Sequence, residues 1–429
     1  MNRVFPFLLI IFTSILAHSL SFAQGHKDFD LDRALRIDFI LTGEKDWQKA
    51  GILRLKEEQY WSGTEQSLIW PFQYGTYQIE VYNESNELIL KQGFSTLFEE
   101  WQSTGLPRDG AASFEQSYSI PYPKGDVLVK LLVRNKNKFE LLNTWSIDPD
   151  ADNIKQEPVN QEAILILGGG DYRNKLDLVF LADGYSESEL KKAKKDARRF
   201  GKFLFRNAPF NKYRRDINIW LVHKPSIESG TDEPCKGVFK KTALGTSFNT
   251  LNLKRYLSVE EFFKVKDVAA AAPYDFILVM VNTKRYGGGG VFNHFSVFSA
   301  DGPSAEKVFL HEFGHHFGGL ADEYFNSEVT YEDMLDTTIE PWQPNITTLV
   351  DFDSKWPHLI SEGLPVPTPR IAKFENYTGV FEGGAYLNKG VFSPAMDCRM
   401  RTNKAKDFCT VCQLALEKML LIYTSQNIE

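Results

Sequence analysis

The residues of this chain whose types and spacing best fit chemistry are His311-Glu312-Phe313-Gly314-His315. On a helix, positions four apart stand on one face, one turn from each other. Both imidazoles can then reach a single tetrahedral Zn²⁺. Zinc lowers the pKa of a bound water to about 7, and Glu312 is placed to accept that water's proton as general base. A five-residue match also arises by chance on buried helices. Here the chain has only 8 His in 429 residues, and two of them fall at this spacing around a glutamate.

A catalytic zinc needs one more protein ligand and keeps a corner open for water. Gly318 lies three residues past His315, where a glycine can turn left-handed, stop the helix and send the chain back toward the metal. In metzincins the third ligand lies six residues past the second histidine. That position is Ala321, which cannot ligate. Asp322, one residue further, is the expected oxygen ligand, with Glu323 the alternative. Tyr324 is expected to donate a hydrogen bond to the developing oxyanion, and His316 to point off the metal face. A methionine on a tight turn beneath the zinc is a further metzincin feature. Met400 is the candidate and Met396 the alternative, since a thioether fits an apolar floor.

These groups need a scaffold. The helix is predicted over Ser304–Phe317, with Pro303 and Ser304 at its start and Val308, Phe309, Phe313 and Phe317 at helical spacing. Upstream, Leu176–Ala182, Ile217–Val222 and Asp275–Val281 read as buried strands, and Ser188–Phe205 as a charged amphipathic helix. Strands alternating with helices imply a mainly parallel sheet. The run Gly287–Gly290 lacks the Lys-Ser/Thr pair of a phosphate loop. It is expected to turn the chain into an edge strand, Val291–Phe298, on which a peptide can pair by its main chain; an ordinary hairpin loop is the plainer reading. The Glu228-Ser229-Gly230-Thr231-Asp232 loop is acidic enough for Ca²⁺, but an ordinary turn is the preferred reading.

The first third of the chain is different. Arg36–Leu41, Tyr77–Tyr82 and Val127–Val133 alternate or run apolar in strand-like fashion, separated by turn signals at Asn83–Asn86 and Pro123–Asp126. They predict a small antiparallel β-sandwich over residues 24–150, with no concentrated set of His, Cys or acidic residues. Residues 151–162 are polar and read as a linker before a second domain, 163–429. At the N-terminus, Arg3, the apolar run Phe5–Ala17 and the small-x-small site Ser21-Phe22-Ala23 read as a signal peptide over residues 1–23. The mature protein is therefore expected to be exported, periplasmic or extracellular, with no stable membrane span. A net charge of -7 argues against a nucleic-acid partner. Four cysteines, Cys235, Cys398, Cys409 and Cys412, suggest two disulfides in an exported protein. A structural zinc on Cys409-Thr410-Val411-Cys412 plus other ligands competes with that reading.

The stretches Leu176–Tyr185, Glu228–Asp232 and His311–His315, with the Cys-x-Met and Cys-x-x-Cys elements, resemble the IgA peptidase family of zinc metallopeptidases. The first part resembles the N-terminal β domain of its gut Bacteroidetes members. The resemblance implies an α+β two-domain protein, a β-sandwich followed by a metzincin-like α/β zinc peptidase domain, that cleaves protein or peptide substrates. It implies immunoglobulin A cleavage only weakly. Two rival readings are a zinc-dependent amidase and a non-catalytic envelope binding protein with a vestigial metal helix. An intact Glu312 speaks against the second.

Overall fold

The computed structural model describes residues 26–65, 67–106, 110–325 and 335–424. The segment read as a signal peptide lies outside the described residues.

The N-terminal region is β-rich. Strands β1 (Phe29–Gly43), β2 (Gln48–Glu58), β3 (Tyr77–Tyr82), β4 (Leu88–Phe94), β5 (Ala112–Pro123), β6 (Val127–Asn135), β7 (Lys138–Ile147) and β8 (Ile154–Lys155) form two four-stranded sheets. Their orders are β5-β1-β2-β8 and β4-β3-β6-β7. Inward side chains of both, among them Ile37, Phe39, Ile120, Ile79, Val129 and Leu131, make one hydrophobic cluster. Alternating residues of a strand point to opposite faces, so each sheet buries one face there.

Residues 151–162 are not a free linker. Ile154 and Lys155 pair in parallel with Leu55 and Lys56 of β2, and Glu157 accepts from Lys56 Nζ at 2.6 Å. The N-terminal region is also tied laterally to the rest of the chain. Arg36, fully buried, sits 2.7 Å from both Asp38 and Asp267.

The second region centres on a six-stranded sheet. Its strands are β9 (Ala163–Leu167), β10 (Leu176–Asp183), β11 (Ile217–Val222), β14 (Phe276–Val281), β15 (Gly288–Val291) and β16 (Phe295–Ser299), in the order β15-β16-β14-β10-β11-β9. Short hairpins β12 (Thr246–Phe248) with β13 (Leu257–Val259), and β17 (Phe381–Gly384) with β18 (Leu387–Ser393), lie outside it. The four inner strands run parallel, while β15 and β9 run antiparallel at the two edges. The inner strands β10 and β14 are buried along their whole length, which is why they are continuous apolar runs rather than alternating ones. The predicted long helix is Leu190–Leu204, and Ser186 and Glu189 close a capping box just before it.

One face of this sheet carries three helices, Leu190–Leu204, Ala305–Gly318 and Thr410–Tyr423, over a core rich in Phe180, Phe200, Phe298, Phe309 and Phe313. The opposite face is covered by the helix Phe262–Ala269. Among the described residues no helix is long and apolar enough to cross a membrane.

Candidate metal centre and catalytic cleft

Val308, Phe309, Phe313 and Phe317 bury one side of the helix Ala305–Gly318. Phe313 stacks nearly parallel on both Phe309 and Phe317. The other side lines an open cleft with His311, Glu312 and His315. The helix ends one residue later than expected: Gly319, at φ 60°, is the left-handed residue, and Gly318 is still helical. The two glycines do different work. A Cβ on Gly318 would come within 2.7 Å of Leu416 on the C-terminal helix, so Gly318 permits close helix packing and Gly319 makes the turn.

That turn aims Leu320 O at His315 Nδ1, 2.6 Å away. His311 Nδ1 is likewise 3.0 Å from Arg399 O. Carbonyls only accept, so both Nδ1 atoms carry the proton and both Nε2 atoms present lone pairs. The two Nε2 atoms are 3.1 Å apart. Asp322 Oδ1 lies 3.0 Å from one and 3.4 Å from the other, buried and without a hydrogen-bond donor. Three acceptors thus converge with nothing between them to donate. With zinc bonds of about 2.0–2.1 Å, ligands of a tetrahedral site stand about 3.3 Å apart, so the residues fit such an ion. The electrostatics point the same way. Burial lowers the pKa of His315, yet the Asp322 carboxylate raises it to about 9. Burial alone would raise Asp322, but the facing imidazoles hold it far below the ordinary range. The pocket favours positive charge at that point.

Asp322 Oδ2 is held by the Tyr386 hydroxyl, from the turn between β17 and β18. Tyr324 lies against His311, ring centroids 6.4 Å apart and planes 18° apart, and its hydroxyl meets Arg255 and Tyr386. Burial, and then Asp322, push the phenol well above its usual pKa, which keeps it a neutral donor. Burial also raises Glu312 above an ordinary glutamate. Met400 is fully buried under the helix, where a Cβ on Gly314 would meet its sulfur at 2.7 Å; Met396 is only half-buried.

Two alternatives fall away and two expectations need revision. Glu323 does not face the imidazoles: its Oε1 accepts from Asn345 Nδ2 at 3.1 Å and lies 3.1 Å from Cys412 Sγ. The four cysteines are free in this structure and are not placed for two disulfides, since Cys235 has no other cysteine beside it. Cys235 is exposed, against Asn249, while the other three are gathered around Glu323. The glycine run does not lead into the edge strand but is that strand: Gly288, Gly289 and Gly290 pair with Phe298, Val297 and Ser296. The reason is steric, since a Cβ on Gly288 would meet Glu312 Oε1 at 2.7 Å, and one on Gly290 would meet Glu312 O at 2.2 Å. Finally, the carboxylates of the Glu228–Asp232 loop are already engaged. Glu228 accepts from Lys241 N at 2.9 Å, and Asp232 from Lys240 N at 2.5 Å, as in a simple turn.

His316 packs against Phe276 with ring centroids 5.0 Å apart, away from the metal face. Arg255, Tyr386 and Glu100, all at the cleft, carry no local sequence signal. They come from segments distant in the chain, one of them in the N-terminal region to which the sequence assigns no chemistry.

Residues 164–377 and 370–420 match the family described as IgA Peptidase M64. Residues 25–145 match the one described as Peptidase M64 N-terminus. No curated protein matches the chain.

Proposed function

The chain belongs to the IgA peptidase M64 family and is a peptidase with protein as its substrate; on that premise we propose that it is a zinc endopeptidase in which His311, His315 and Asp322 hold the ion and Glu312 is the general base. The observation that carries this reading is the convergence of two imidazole lone pairs and one undonated carboxylate oxygen beside Glu312 in an open cleft. Two nitrogens and one oxygen, with a corner left for solvent, are a donor set that catalytic zinc takes. The ion when bound would polarise the scissile carbonyl and acidify a water near neutral pH.

The chain's own residues do the rest. Glu312 takes the proton of the attacking water and passes it to the leaving amine. Tyr324, held by Arg255, donates to the oxyanion as charge develops. Substrate backbone pairs along the edge strand Gly288–Val291, whose glycines line the cleft. Tyr386 keeps Asp322 aimed by binding its other oxygen.

The shared core of the two N-terminal sheets supports a β-sandwich over residues 24–150, and the helix, turn and buried Met400 support a metzincin-like domain over 163–429. The apolar run after Arg3 supports a cleaved signal peptide over 1–23 and an exported protein.

The test is cleavage of unstructured casein by the purified protein with and without a chelator, alongside Glu312→Gln. Chelator-sensitive cleavage that zinc restores, and that Glu312→Gln reduces about 10²- to 10⁴-fold while keeping its metal, is the expected result. Cleavage indifferent to chelation, or undiminished in Glu312→Gln, overturns the mechanism. Hydrolysis of small amides alone would mean an amidase.

A further inference from the structure

Behind the cleft lies a second set of ligands. Glu323 Oε and the sulfurs of Cys398, Cys409 and Cys412 all lie within 4.8 Å of one another. We propose that these four residues hold a second metal ion, a closed structural zinc distinct from the catalytic one.

The spacing is that of ligands. Zinc–sulfur bonds of about 2.3 Å place two sulfurs of a tetrahedral site about 3.8 Å apart. Cys398 Sγ and Cys412 Sγ are 3.8 Å apart. Glu323 Oε1 is 3.1 Å from Cys412 Sγ and 3.9 Å from Cys409 Sγ. Cys409 N donates to Cys398 Sγ at 3.2 Å, the kind of contact that stabilises a thiolate.

An independent feature points to a cation. Glu323 is completely buried, and its Oε2 accepts from nothing. The nearby Arg401 spends Nη2 on Gly383 O and Ser393 Oγ instead. A buried carboxylate left in this state is costly unless a charge meets it. A disulfide explains less. Three cysteines make one bond at most, leaving a buried thiol and the buried carboxylate unaccounted for; a metal uses all four groups.

The position gives the ion a purpose. Glu323 follows Asp322 directly, Cys398 lies two residues before Met400, and Cys409 caps the C-terminal helix that also carries Cys412. One ion would therefore join the loop bearing the third catalytic ligand to the methionine turn and to the last helix. It shares no ligand with His311, His315 and Asp322, so the two sites can be tested apart.

The experiment uses the full chain, purified without added thiol, and its His311→Ala/His315→Ala double variant. Elemental analysis and native mass should give two zinc ions for the wild type and one for the double variant. Cobalt loaded into the double variant should show thiolate-to-cobalt charge-transfer absorption, lost on adding Cys409→Ser and Cys412→Ser. Denatured wild-type chain without reductant should titrate as all thiol. If the cysteine variants fail to fold, the cobalt spectrum of the double variant still decides. A double variant without metal, or a wild-type mass lower by two hydrogens with two thiols lost, overturns the proposal; the second result means a disulfide. Loss of casein cleavage with the cysteine-bound ion intact would instead bear on the catalytic reading alone.

Discussion

Gly288→Ala tests whether the edge strand sets the position of Glu312, the proposed general base. The new Cβ would lie 2.7 Å from Glu312 Oε1, 2.8 Å from Glu312 Cγ and 2.9 Å from Val308 Cγ1. Ordinary contacts are about 3.5–4.0 Å, so something must yield by nearly 1 Å. What yields is mainly the rotatable Glu312 side chain, with the buried Val308 methyl pressed as well, so the stability cost is about 1–2 kcal/mol. The catalytic cost is larger, because a misplacement of about 1 Å costs about 10²-fold. The expected result is a kcat lower by about 10², with zinc content close to wild type and a urea midpoint only modestly lower. Gly290→Ala is the contrast. Its Cβ would stand 2.2 Å from the backbone oxygen of Glu312 and 3.1 Å from His315 Cβ, which no rotamer change relieves. It should lose about 3 kcal/mol of stability. A quenched fluorescent peptide, elemental analysis and urea denaturation read all three quantities. Wild-type kcat in Gly288→Ala, or a larger stability loss there than in Gly290→Ala, would refute the reasoning.

Other expected outcomes follow from single contacts. Tyr386→Phe removes the hydroxyl on Asp322 Oδ2 and should weaken zinc binding about 10- to 100-fold; unchanged affinity in a competitive chelator titration counts against that positioning role. Tyr324→Phe should lower kcat about 10²- to 10³-fold with KM little changed, and a pure KM effect would reassign Tyr324 to binding. His294 is buried on Phe262, at 3.9 Å between ring centroids. Burial first, then Lys266, hold its pKa down to about 3, against about 6.5 when unfolded. A depressed folded value means that the unfolded chain takes up the proton first, so stability is complete above pH 6.5 and falls as pH drops toward 3. Between about pH 6.5 and pH 5 the share is about 2 kcal/mol. His294→Gln should therefore flatten the acid limb of a urea-midpoint profile, and an unchanged limb in that variant is the contrary result.

The pieces legible in the sequence share a physical basis: local periodicity. Two histidines four apart must share a helix face, and continuous apolar runs such as Phe276–Val281 must be buried strands. An alternating run such as Tyr77–Tyr82 marks a strand with one face in the core. None of this needs a partner to be known.

What the sequence could not decide depends on which distant groups meet. Asp322 and Glu323 are adjacent carboxylates, and spacing favours Asp322 without excluding Glu323. Their segment is tied through Asp322 O to Ala385 N and through Glu323 N to Met400 O, so it is held between two other segments of the chain. One carboxylate therefore meets two imidazoles and the other meets three sulfurs. The glycines of the edge strand look like loop residues in isolation, and only the helix lying against them explains why a side chain cannot be there. Cysteine count alone favoured pairing, because oxidising compartments make it common; the fold sets Cys235 apart from the other three. The sequence determined the helix and the spacing of His311, Glu312 and His315 along it. Which carboxylate faces the imidazoles, the wall beside Glu312 and the grouping of the cysteines are set by tertiary contacts, because these depend on distances across the fold that no local period encodes.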